Sequence, residues 1–303
     1  MARIGFIGVG AMGAGMAANQ AKAQHQVQAF DLSAEALQRA EANGCHAAAS
    51  VADTVKDAEV VITMLPAGQH VRQVYEAEIL PKAAKGALLI DCSTIDVESA
   101  RHVAALAVEA GFAFADAPVS GGIMAADAGV LTFMVGCADA HFDAVKAALT
   151  PMAKAVVHAG AAGAGQAAKI CNNMLLGVSM LGVCEAFALA ERLGLEADRF
   201  YEIASQSSGQ CWSLSTYCPW PGVGPNTPSD RNYEGGFLAA LMLKDLKLAQ
   251  EAAAKSGAAT PMGAQAEALY ALFDRMGFGG KDFSAVLQWL RGHPEILEAE
   301  TLK

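Results

Sequence analysis

Short apolar runs alternate with segments of helical spacing over the first half of the chain, up to about residue 160. This alternation predicts a parallel sheet with helices on both faces, because each strand must be followed by a crossover helix. Asn43-Gly44, Gly86 and Gly111 stand where those helices should end. The predicted strands are Arg3 to Gly8, Gln26 to Phe30, Glu59 to Leu65, Ala87 to Ile90, Phe112 to Ala115 and Leu131 to Val135.

The pattern changes after the glycine-rich residues 160–165, where one helical pattern runs from about Gln166 to Leu193. Its 28 residues would span ~42 Å, so we expect this helix to link two domains. Further helices are predicted at 196–207, 238–256, 260–277 and 282–290. The fold class is therefore α/β: a doubly wound Rossmann domain (1–163), a long interdomain helix (164–194) and an all-helical C-terminal domain (195–303).

The segment from Ser205 to Gly236 is too long for an ordinary connection inside a compact domain. It combines four prolines with Trp212, Tyr217 and Trp220, and this aromatic content argues against disorder. We therefore predict a functional loop.

Composition excludes several classes of protein. Of 303 residues, 53% are apolar and 17% charged, which excludes intrinsic disorder. The net charge of −10, without any basic run, argues against nucleic acid as a partner. Seven cysteines form no CxxC pair, so we expect no disulfide framework and no metal site, as in a reducing cytoplasm.

The apolar stretch from Ile170 to Cys184 contains two asparagines and ends at Glu185. It falls short of the ~18 uninterrupted apolar residues that a membrane-spanning helix requires. The sequence therefore predicts a soluble, cytoplasmic protein with no membrane partner.

A GxGxxG motif occupies residues 8–13, directly after a predicted strand and at the start of a predicted helix. Such glycines permit a tight turn, backbone approach to a pyrophosphate and close helix packing. Asp31 follows the second strand, 18 residues past Gly13, where its carboxylate would bind an adenosine ribose and repel a 2′-phosphate. NAD is therefore preferred over NADP. The alternative is a glycine turn that only packs, with Asp31 capping the next helix.

Two further strand ends carry residues that would meet the cofactor at the same sheet edge. Met64-Leu65-Pro66 ends one strand and Cys92-Ser93-Thr94 ends the next. Ligands of open α/β sheets bind at the carboxyl ends of the strands. Ordinary strand-to-loop connections would look the same at this level.

Three polar residues interrupt the long helix, which is otherwise apolar on nearly every face and should be buried all round. Lys169, Asn172 and Asn173 have offsets of three and four, which place them on one stripe. Desolvation and the helix dipole would both lower the pKa of a lysine near a helix start, which suits a general acid/base. Asn173 would hold the amine and a substrate hydroxyl in line. A lysine that reaches solvent beside two backbone-bonding asparagines is the alternative.

Asp116 to Gly122 (DAPVSGG) follows another predicted strand, and Ser120, Gly121 and Gly122 can offer a hydroxyl and successive N–H groups to a carboxylate. A plain turn is the alternative. Lys244-Asp245, on a later helix, has the pattern of a solvated charge pair.

Four motifs in order make the chain resemble the β-hydroxyacid dehydrogenase family over essentially its whole length. They are GFIGVGAMGAGMAAN (5–19), DAPVSGG (116–122), GAGQAAKICNN (163–173) and LMLKDLKLA (241–249). Within the family, SSGQCWSLSTYCPWPGV (207–223) and YEGGF (233–237) are most similar to the branch that oxidises 3-hydroxyisobutyrate in valine breakdown.

The resemblance implies NAD as cofactor, a small hydroxyacid as substrate and a homodimer or homotetramer. It implies Lys169 as the acid/base, Asn173 as its neighbour, and Ser120, Gly121 and Gly122 as the carboxylate cradle. Trp212 and Phe237 would shape the substrate pocket. NAD would contact Gly8, Gly10, Ala11, Met12, Gly13, Asp31, Leu65, Pro66, Thr94 and Lys244.

Other functions stay open at this point. A sister enzyme would act on L-serine or tartronate semialdehyde, which carry polar groups at C2. A module that binds NAD without catalysis is disfavoured because Lys169 is present. A 6-phosphogluconate dehydrogenase would need a basic cluster and a longer helical domain, and neither is visible.

Overall fold

The structure, a computed structural model, describes residues 1–298. The chain forms two compact units, Met1–Lys169 and the part from Ile170 onward. The boundary falls inside one continuous helix, Ala164–Arg192, whose first residues belong to the first unit and whose remainder belongs to the second.

The first unit contains one mixed sheet of nine strands, ordered β3-β2-β1-β4-β5-β6-β8-β7, with β9 paired to β8. The six strands from β3 to β6 in this order run parallel, the strand order of a dinucleotide-binding fold. The strands are β1 Arg3–Ile7, β2 Gln26–Phe30, β3 His46–Ala47, β4 Val60–Thr63, β5 Leu88–Asp91, β6 Ala113–Asp116, β7 Val119–Ser120, β8 Leu131–Cys137 and β9 Ala153–Gly160.

All six predicted strands are present, and the prediction of a doubly wound α/β unit is confirmed. The expectation of a wholly parallel sheet is wrong at one end, because β8 runs antiparallel to both β6 and β7. Only the helix Gly122–Ala128 connects β7 to β8, which is too short for a parallel crossover. Strands β3, β7 and β9 were not predicted.

Helices cover both faces of this sheet. Val61 and Ile62 are neighbours in β4 yet belong to different hydrophobic clusters, as do Leu89 and Ile90 in β5. Successive side chains of a strand point to opposite faces, so each cluster lies on one face. The helices are α1 Gly13–Lys22, α2 Ala34–Ala42, α3 Val51–Val55, α4 Gly68–Val74, α5 Leu80–Lys82, α6 Val97–Glu109, α7 Gly122–Ala128 and α8 Asp139–Leu149. A π-helix (Tyr75–Ile79) and a 3-10 turn (Thr150–Met152) complete the unit.

The second unit is helical, and the residues described from Ile170 to Glu298 contain no strand. Its core is built around Phe187, Tyr270, Phe273, Met242 and Leu246, all fully buried. The helices are α9 Ala164–Arg192, shared with the first unit, α10 Ala197–Ala204, α11 Trp212–Ser215, α12 Ala239–Ser256, α13 Pro261–Phe273, α14 Val286–Arg291 and α15 Glu295–Glu298. Short 3-10 and π turns occupy Pro228–Arg231, Asp274–Phe278 and Phe283–Ala285.

Helix α9 is not buried all round, contrary to the sequence-based expectation. Leu175, Gly182 and Leu189 are exposed and recur every seven residues, which places them on one stripe. By length and composition α9 is the one helix among the described residues that could cross a membrane. Core helices of soluble proteins pass the same test, so this is weak evidence for a membrane span.

Candidate active site

The glycine loop between β1 and α1 is shaped by close backbone contacts. Gly8 has φ +92°, and a Cβ there would lie 2.2 Å from the Met64 carbonyl oxygen. A Cβ on Gly13 would lie 1.9 Å from the Gly8 carbonyl oxygen, so α1 packs directly on the turn. At Gly10, by contrast, a Cβ would meet no atom within 4 Å. The loop therefore has one open backbone face, which fits an incoming pyrophosphate. Ala11 and Met12 complete the turn into α1.

Asp31, directly after β2, is held against the glycine loop. One carboxylate oxygen accepts the Val9 N–H and the other accepts the Ser33 N–H, both at 2.9 Å. Ser33, not Asp31, caps α2, because its hydroxyl accepts the Ala36 N–H. The interpretation of Asp31 as a helix cap is therefore wrong. Each carboxylate oxygen has a second lone pair, which leaves acceptors for ribose hydroxyls.

The loops after β4 and β5 are joined through Ser93. Its hydroxyl accepts the Leu65 N–H at 2.8 Å and donates to Asp91 Oδ1 at 2.6 Å. Thr63 donates to the same oxygen at 2.7 Å. Pro66 is exposed and Thr94 half-buried at the ends of these loops. The structure thus brings two predicted cofactor loops together.

Asp91, at the end of β5, was not singled out in the sequence. It is fully buried, and burial raises its carboxyl pKa to about 6. Its second oxygen, Oδ2, has no hydrogen-bond partner among the described residues. The only signal in the sequence was a carboxylate at the last position of an apolar strand.

Asp116, at the end of β6, caps the start of α9. Its two oxygens accept the N–H groups of Gly163 at 2.6 Å and Gln166 at 2.8 Å. These are backbone donors that the first helical turn cannot satisfy itself. Burial raises the pKa of Asp116 while these hydrogen bonds act to lower it. The role of Asp116 as a cap was missed because its partners lie 47 and 50 residues away.

Lys169 and Asn173 lie on consecutive turns of α9 and are only 7% and 2% exposed. The Asn173 amide donates to Asp245 Oδ2 at 2.5 Å. Asn172 does not share this buried stripe: it is exposed and donates to Asn173 Oδ1 at 3.0 Å. Consecutive helical residues are 100° apart, so the two asparagines face different surroundings.

Asp245 of α12 is a buried partner rather than half of a solvated charge pair. It is 3% exposed, and its Oδ1 lies 3.5 Å from the Lys244 Nζ. That distance is an ion pair at the limit of a hydrogen bond, and Oδ1 makes no hydrogen bond. Sequence reasoning missed Asp245, because a Lys-Asp pair on an amphipathic helix gives no signal of burial.

The predicted carboxylate cradle follows a two-residue strand. Ser120 ends β7, where it pairs with Thr132 of β8. Gly121 and Gly122 have φ +136° and +71°, a backbone that other residues rarely adopt. A Cβ on Gly122 would meet no atom within 4 Å. The backbone is open at Gly122, as an anion cradle requires, whereas a Cβ on Gly121 would lie 2.6 Å from the Ala125 Cβ.

Trp212 and Phe237 belong to one row of aromatic rings. Trp212 stacks on Tyr217 at 4.8 Å between centroids, Tyr217 contacts Phe283 at 5.6 Å, and Phe283 contacts Phe237 at 5.8 Å. The buried Asp282 fixes this row, since it accepts hydrogen bonds from the Tyr217 hydroxyl and the Phe237 N–H, both at 2.8 Å.

Trp220 lies in a different place from the aromatic row. It contacts Phe187 at 5.6 Å, and the Arg291 guanidinium covers its ring at 4.0 Å. Trp220 therefore does not belong to the aromatic row that contains Trp212 and Phe237.

Across residues 1–298, no group of three or more His, Cys, Asp or Glu side chains is placed to hold a metal ion.

Two protein-family models match this chain, and they meet close to the start of α9. Residues 3–160 match the NAD-binding domain of 6-phosphogluconate dehydrogenase. Residues 163–290 match the NAD-binding domain of NADP-dependent 3-hydroxyisobutyrate dehydrogenase. Together these matches cover both units.

Individual relatives match over nearly the full length. An NAD-dependent L-serine dehydrogenase of Pseudomonas aeruginosa is 49% identical over 94% of this chain and 97% of its own. A 3-hydroxyisobutyrate dehydrogenase of the same organism is 46% identical, covering 96% and 99%. The solved structure of Mycobacterium tuberculosis 3-hydroxyisobutyrate dehydrogenase with L-serine matches with a TM-score of 0.92 and 45% identity, covering 96% and 99%.

The chain belongs to the β-hydroxyacid dehydrogenase family. Membership confirms the resemblance, the Rossmann and helical architecture, and NAD as the cofactor. As a β-hydroxyacid dehydrogenase it is an NAD-dependent enzyme acting on hydroxyacids. The glycine loop and Asp31 are the parts of this chain whose geometry fits that cofactor.

Proposed function

We propose that this β-hydroxyacid dehydrogenase catalyses the reversible NAD-dependent oxidation of 3-hydroxyisobutyrate to methylmalonate semialdehyde, a step of valine breakdown. The observation that carries the proposal is the burial of Lys169 on the second turn of α9, while Asp116 holds the first turn in place. A buried amine near a helix start can serve as the group that takes a proton from a reacting hydroxyl or returns it.

Lys169 is the acid/base in this mechanism. In the oxidative direction its neutral Nζ takes the proton of the substrate hydroxyl, so the oxygen becomes a carbonyl oxygen. Bound NAD supplies the acceptor for the hydride that leaves the same carbon. In the reverse direction the Lys169 ammonium returns the proton to the developing alkoxide.

Neighbouring residues orient the reaction. Asn173 holds the substrate hydroxyl and is itself oriented by Asp245 through their 2.5 Å hydrogen bond. Ser120, Gly121 and Gly122 bind the substrate carboxylate through a hydroxyl and backbone N–H groups. Gly8, Gly10, Gly13 and Asp31 hold the adenosine and pyrophosphate part of NAD. Leu65, Pro66, Thr94 and Lys244 contact the rest of the cofactor.

L-serine is the second candidate substrate. It differs from 3-hydroxyisobutyrate at C2, where an ammonium replaces a methyl group. The relative named as an L-serine dehydrogenase, at 49% identity, and the related structure with L-serine support this candidate. Relatives named as 3-hydroxyisobutyrate dehydrogenases, at 45–46% identity over nearly the full length, support the substrate that carries the methyl group.

A substrate panel tests the choice. Purified protein is assayed with both enantiomers of 3-hydroxyisobutyrate, L-serine, and tartronate semialdehyde in the reductive direction. NAD(H) and NADP(H) are each used, with the absorbance of the reduced cofactor as readout. We expect kcat/KM for 3-hydroxyisobutyrate to exceed that for L-serine by about 10- to 100-fold. An equal or larger value for L-serine would reassign the substrate, and no activity with any of these acids would reject the proposal.

We also infer that the enzyme works in the cytoplasm as a homodimer or homotetramer, without nucleic acid or membrane as partner. The exposed side chains of Leu175 and Leu189 on α9 offer apolar surface for contact with a second copy of the chain. Light scattering of the purified protein measures the number of subunits.

A further inference from the structure

Gln166 lies at the start of α9 but belongs to the hydrogen-bond network of the loop after β5. Its side chain is fully buried. The amide nitrogen donates to the Ser93 carbonyl oxygen at 2.7 Å, and the amide oxygen accepts the Ile95 N–H at 3.1 Å. The two bonds enclose Thr94, so one side chain fixes the backbone on both sides of a cofactor-contacting residue.

The backbone of Gln166 is fixed independently. Its N–H donates to Asp116 Oδ2 at 2.8 Å, as the third donor of the first helical turn. The side chain and the main chain of one residue therefore connect three strand ends of the first unit: β5 through Ser93 and Ile95, β6 through Asp116, and β4 through the Ser93 bond to Leu65.

Lys169 follows Gln166 by three residues, so both side chains lie on one face of α9. Any shift of Gln166 relative to the Thr94 loop is passed to Lys169 through less than one rigid turn of helix. Displacements of about 1 Å reduce enzymatic rates by as much as ~100-fold.

We propose that Gln166 is the positioning residue that sets the distance between Lys169 and the cofactor loop at Thr94. This role rests on the proposed function of Lys169, and it adds a residue that touches neither substrate nor reacting atoms. Both halves of the side-chain amide are needed, because Ser93 requires a donor and Ile95 requires an acceptor.

Two variants separate these halves. Gln166→Glu keeps the acceptor for Ile95 but loses the donor to Ser93, and Gln166→Leu loses both. The matched control is Gln20→Glu, because Gln20 is equally buried and its amide donates to the Ala148 carbonyl oxygen at 2.7 Å in the same unit. Gln20 contacts neither the Thr94 loop nor α9 through this bond.

We expect Gln166→Glu and Gln166→Leu to lower kcat by about 10- to 100-fold and to raise the KM for NAD several-fold. The deuterium isotope effect on kcat should increase, since a displaced amine slows the chemical step. Gln20→Glu should change the melting temperature by a similar amount but leave kcat and both KM values within about two-fold of wild type. A simple loss of folded enzyme lowers the apparent kcat alone, which distinguishes instability from misplacement.

Two measurements do not depend on turnover. Hydrogen–deuterium exchange of the unliganded protein should show faster exchange at residues 93–96 in Gln166→Leu, with no change there in Gln20→Glu. The dissociation constant of NADH, from fluorescence, should rise in both Gln166 variants.

The proposal is overturned if exchange at residues 93–96 and the NADH dissociation constant are unchanged in Gln166→Leu, or if Gln20→Glu loses the same activity. If the wild-type protein oxidises no hydroxyacid, the proposed function fails. The positioning role of Gln166 is then decided by hydrogen–deuterium exchange at residues 93–96 and by NADH binding alone.

Discussion

The side-chain amide of Asn173 donates a 2.5 Å hydrogen bond to the carboxylate of Asp245, and both residues are almost completely buried. Asn173→Asp would place a second carboxylate on this contact, and two such groups cannot both ionise at that distance. We expect the unfolding free energy at pH 8 to fall by about 1–3 kcal/mol and turnover to be largely lost.

The loss of stability in Asn173→Asp should shrink toward pH 5. One carboxyl of the pair then has a raised pKa in the folded state, so the folded protein binds a proton more tightly than the unfolded chain. Stability therefore declines as the pH rises through that pKa. Urea unfolding at several pH values measures this. Gln206→Glu, which adds the same charge at an exposed position of the helical unit, should change stability little.

Lys169→Ala should reduce kcat by about 100- to 10,000-fold while NADH still binds. Lys169→Arg should be equally slow, because a guanidinium keeps its proton at neutral pH. Steady-state kinetics and NADH fluorescence measure the two properties. The exposed Lys22 at the end of α1 supplies a control, and Lys22→Ala should retain wild-type turnover. Near-normal turnover in Lys169→Arg would reject Lys169 as the acid/base.

Asp31→Asn should weaken the discrimination between NAD and NADP. The asparagine amide has one acceptor oxygen where the carboxylate has two, and it carries no charge. We therefore expect kcat/KM with NAD to fall by about 10- to 100-fold. The value with NADP should stay constant or increase, since the repulsion of a 2′-phosphate is removed. Asp143→Asn, an exposed substitution on α8, serves as control. Equal losses with both cofactors would show instead that Asp31 supports the glycine loop through Val9.

Substitutions of the two tryptophans in segment 205–236 should affect different properties, one the KM for substrate and the other the stability of the fold. Trp212 is 49% exposed and stacks on Tyr217. Trp212→Ala should raise the KM for the hydroxyacid several-fold and lower stability by only about 0.5–1.5 kcal/mol. Trp220→Ala removes the contacts to Phe187 and Arg291, and should destabilise by about 2–4 kcal/mol with an unchanged KM. Thermal unfolding and substrate kinetics of both variants test this contrast.

Asp91 makes stability depend on pH in a direction opposite to that of a salt-bridged carboxylate. Its pKa is raised from 3.8 to about 6 in the folded protein, so its contribution is complete below pH 3.8 and is lost as the pH rises to about 6. Asp91→Asn cannot titrate. Between pH 4 and pH 7 the unfolding free energy of the wild-type protein should therefore fall by about 1–3 kcal/mol more than that of Asp91→Asn. Identical slopes for both proteins would contradict the raised pKa.

Hydrophobic periodicity in the sequence located the strands and helices that are long enough to show a repeating pattern by themselves. The six predicted strands and α9 each form a long enough apolar run to be recognised. Strands β3 and β7 have two residues each, which leaves no period to detect. Strand β9 was missed although it has eight residues, and it lies at the end of the sheet, paired only with β8.

The candidate site was predicted where a motif carries its own geometry, as in the glycine loop and the spacing of Lys169 and Asn173. It was not predicted where partners come from distant positions. Asp245 lies 72 residues from Asn173, and Gln166 lies 73 residues from Ser93. Their burial follows from packing between elements, which no local pattern reports.

The start of α9 is secured by the backbone of Gly163, by the backbone and side chain of Gln166, and by the carboxylate of Asp116. The scaffold that presents position 169 is thus defined by residues other than Lys169 itself. The side chain at position 169 can therefore be varied in enzyme engineering without disturbing the start of α9. Gly163, Gln166 and Asp116 would be kept, because they hold the backbone that carries the new reactive group.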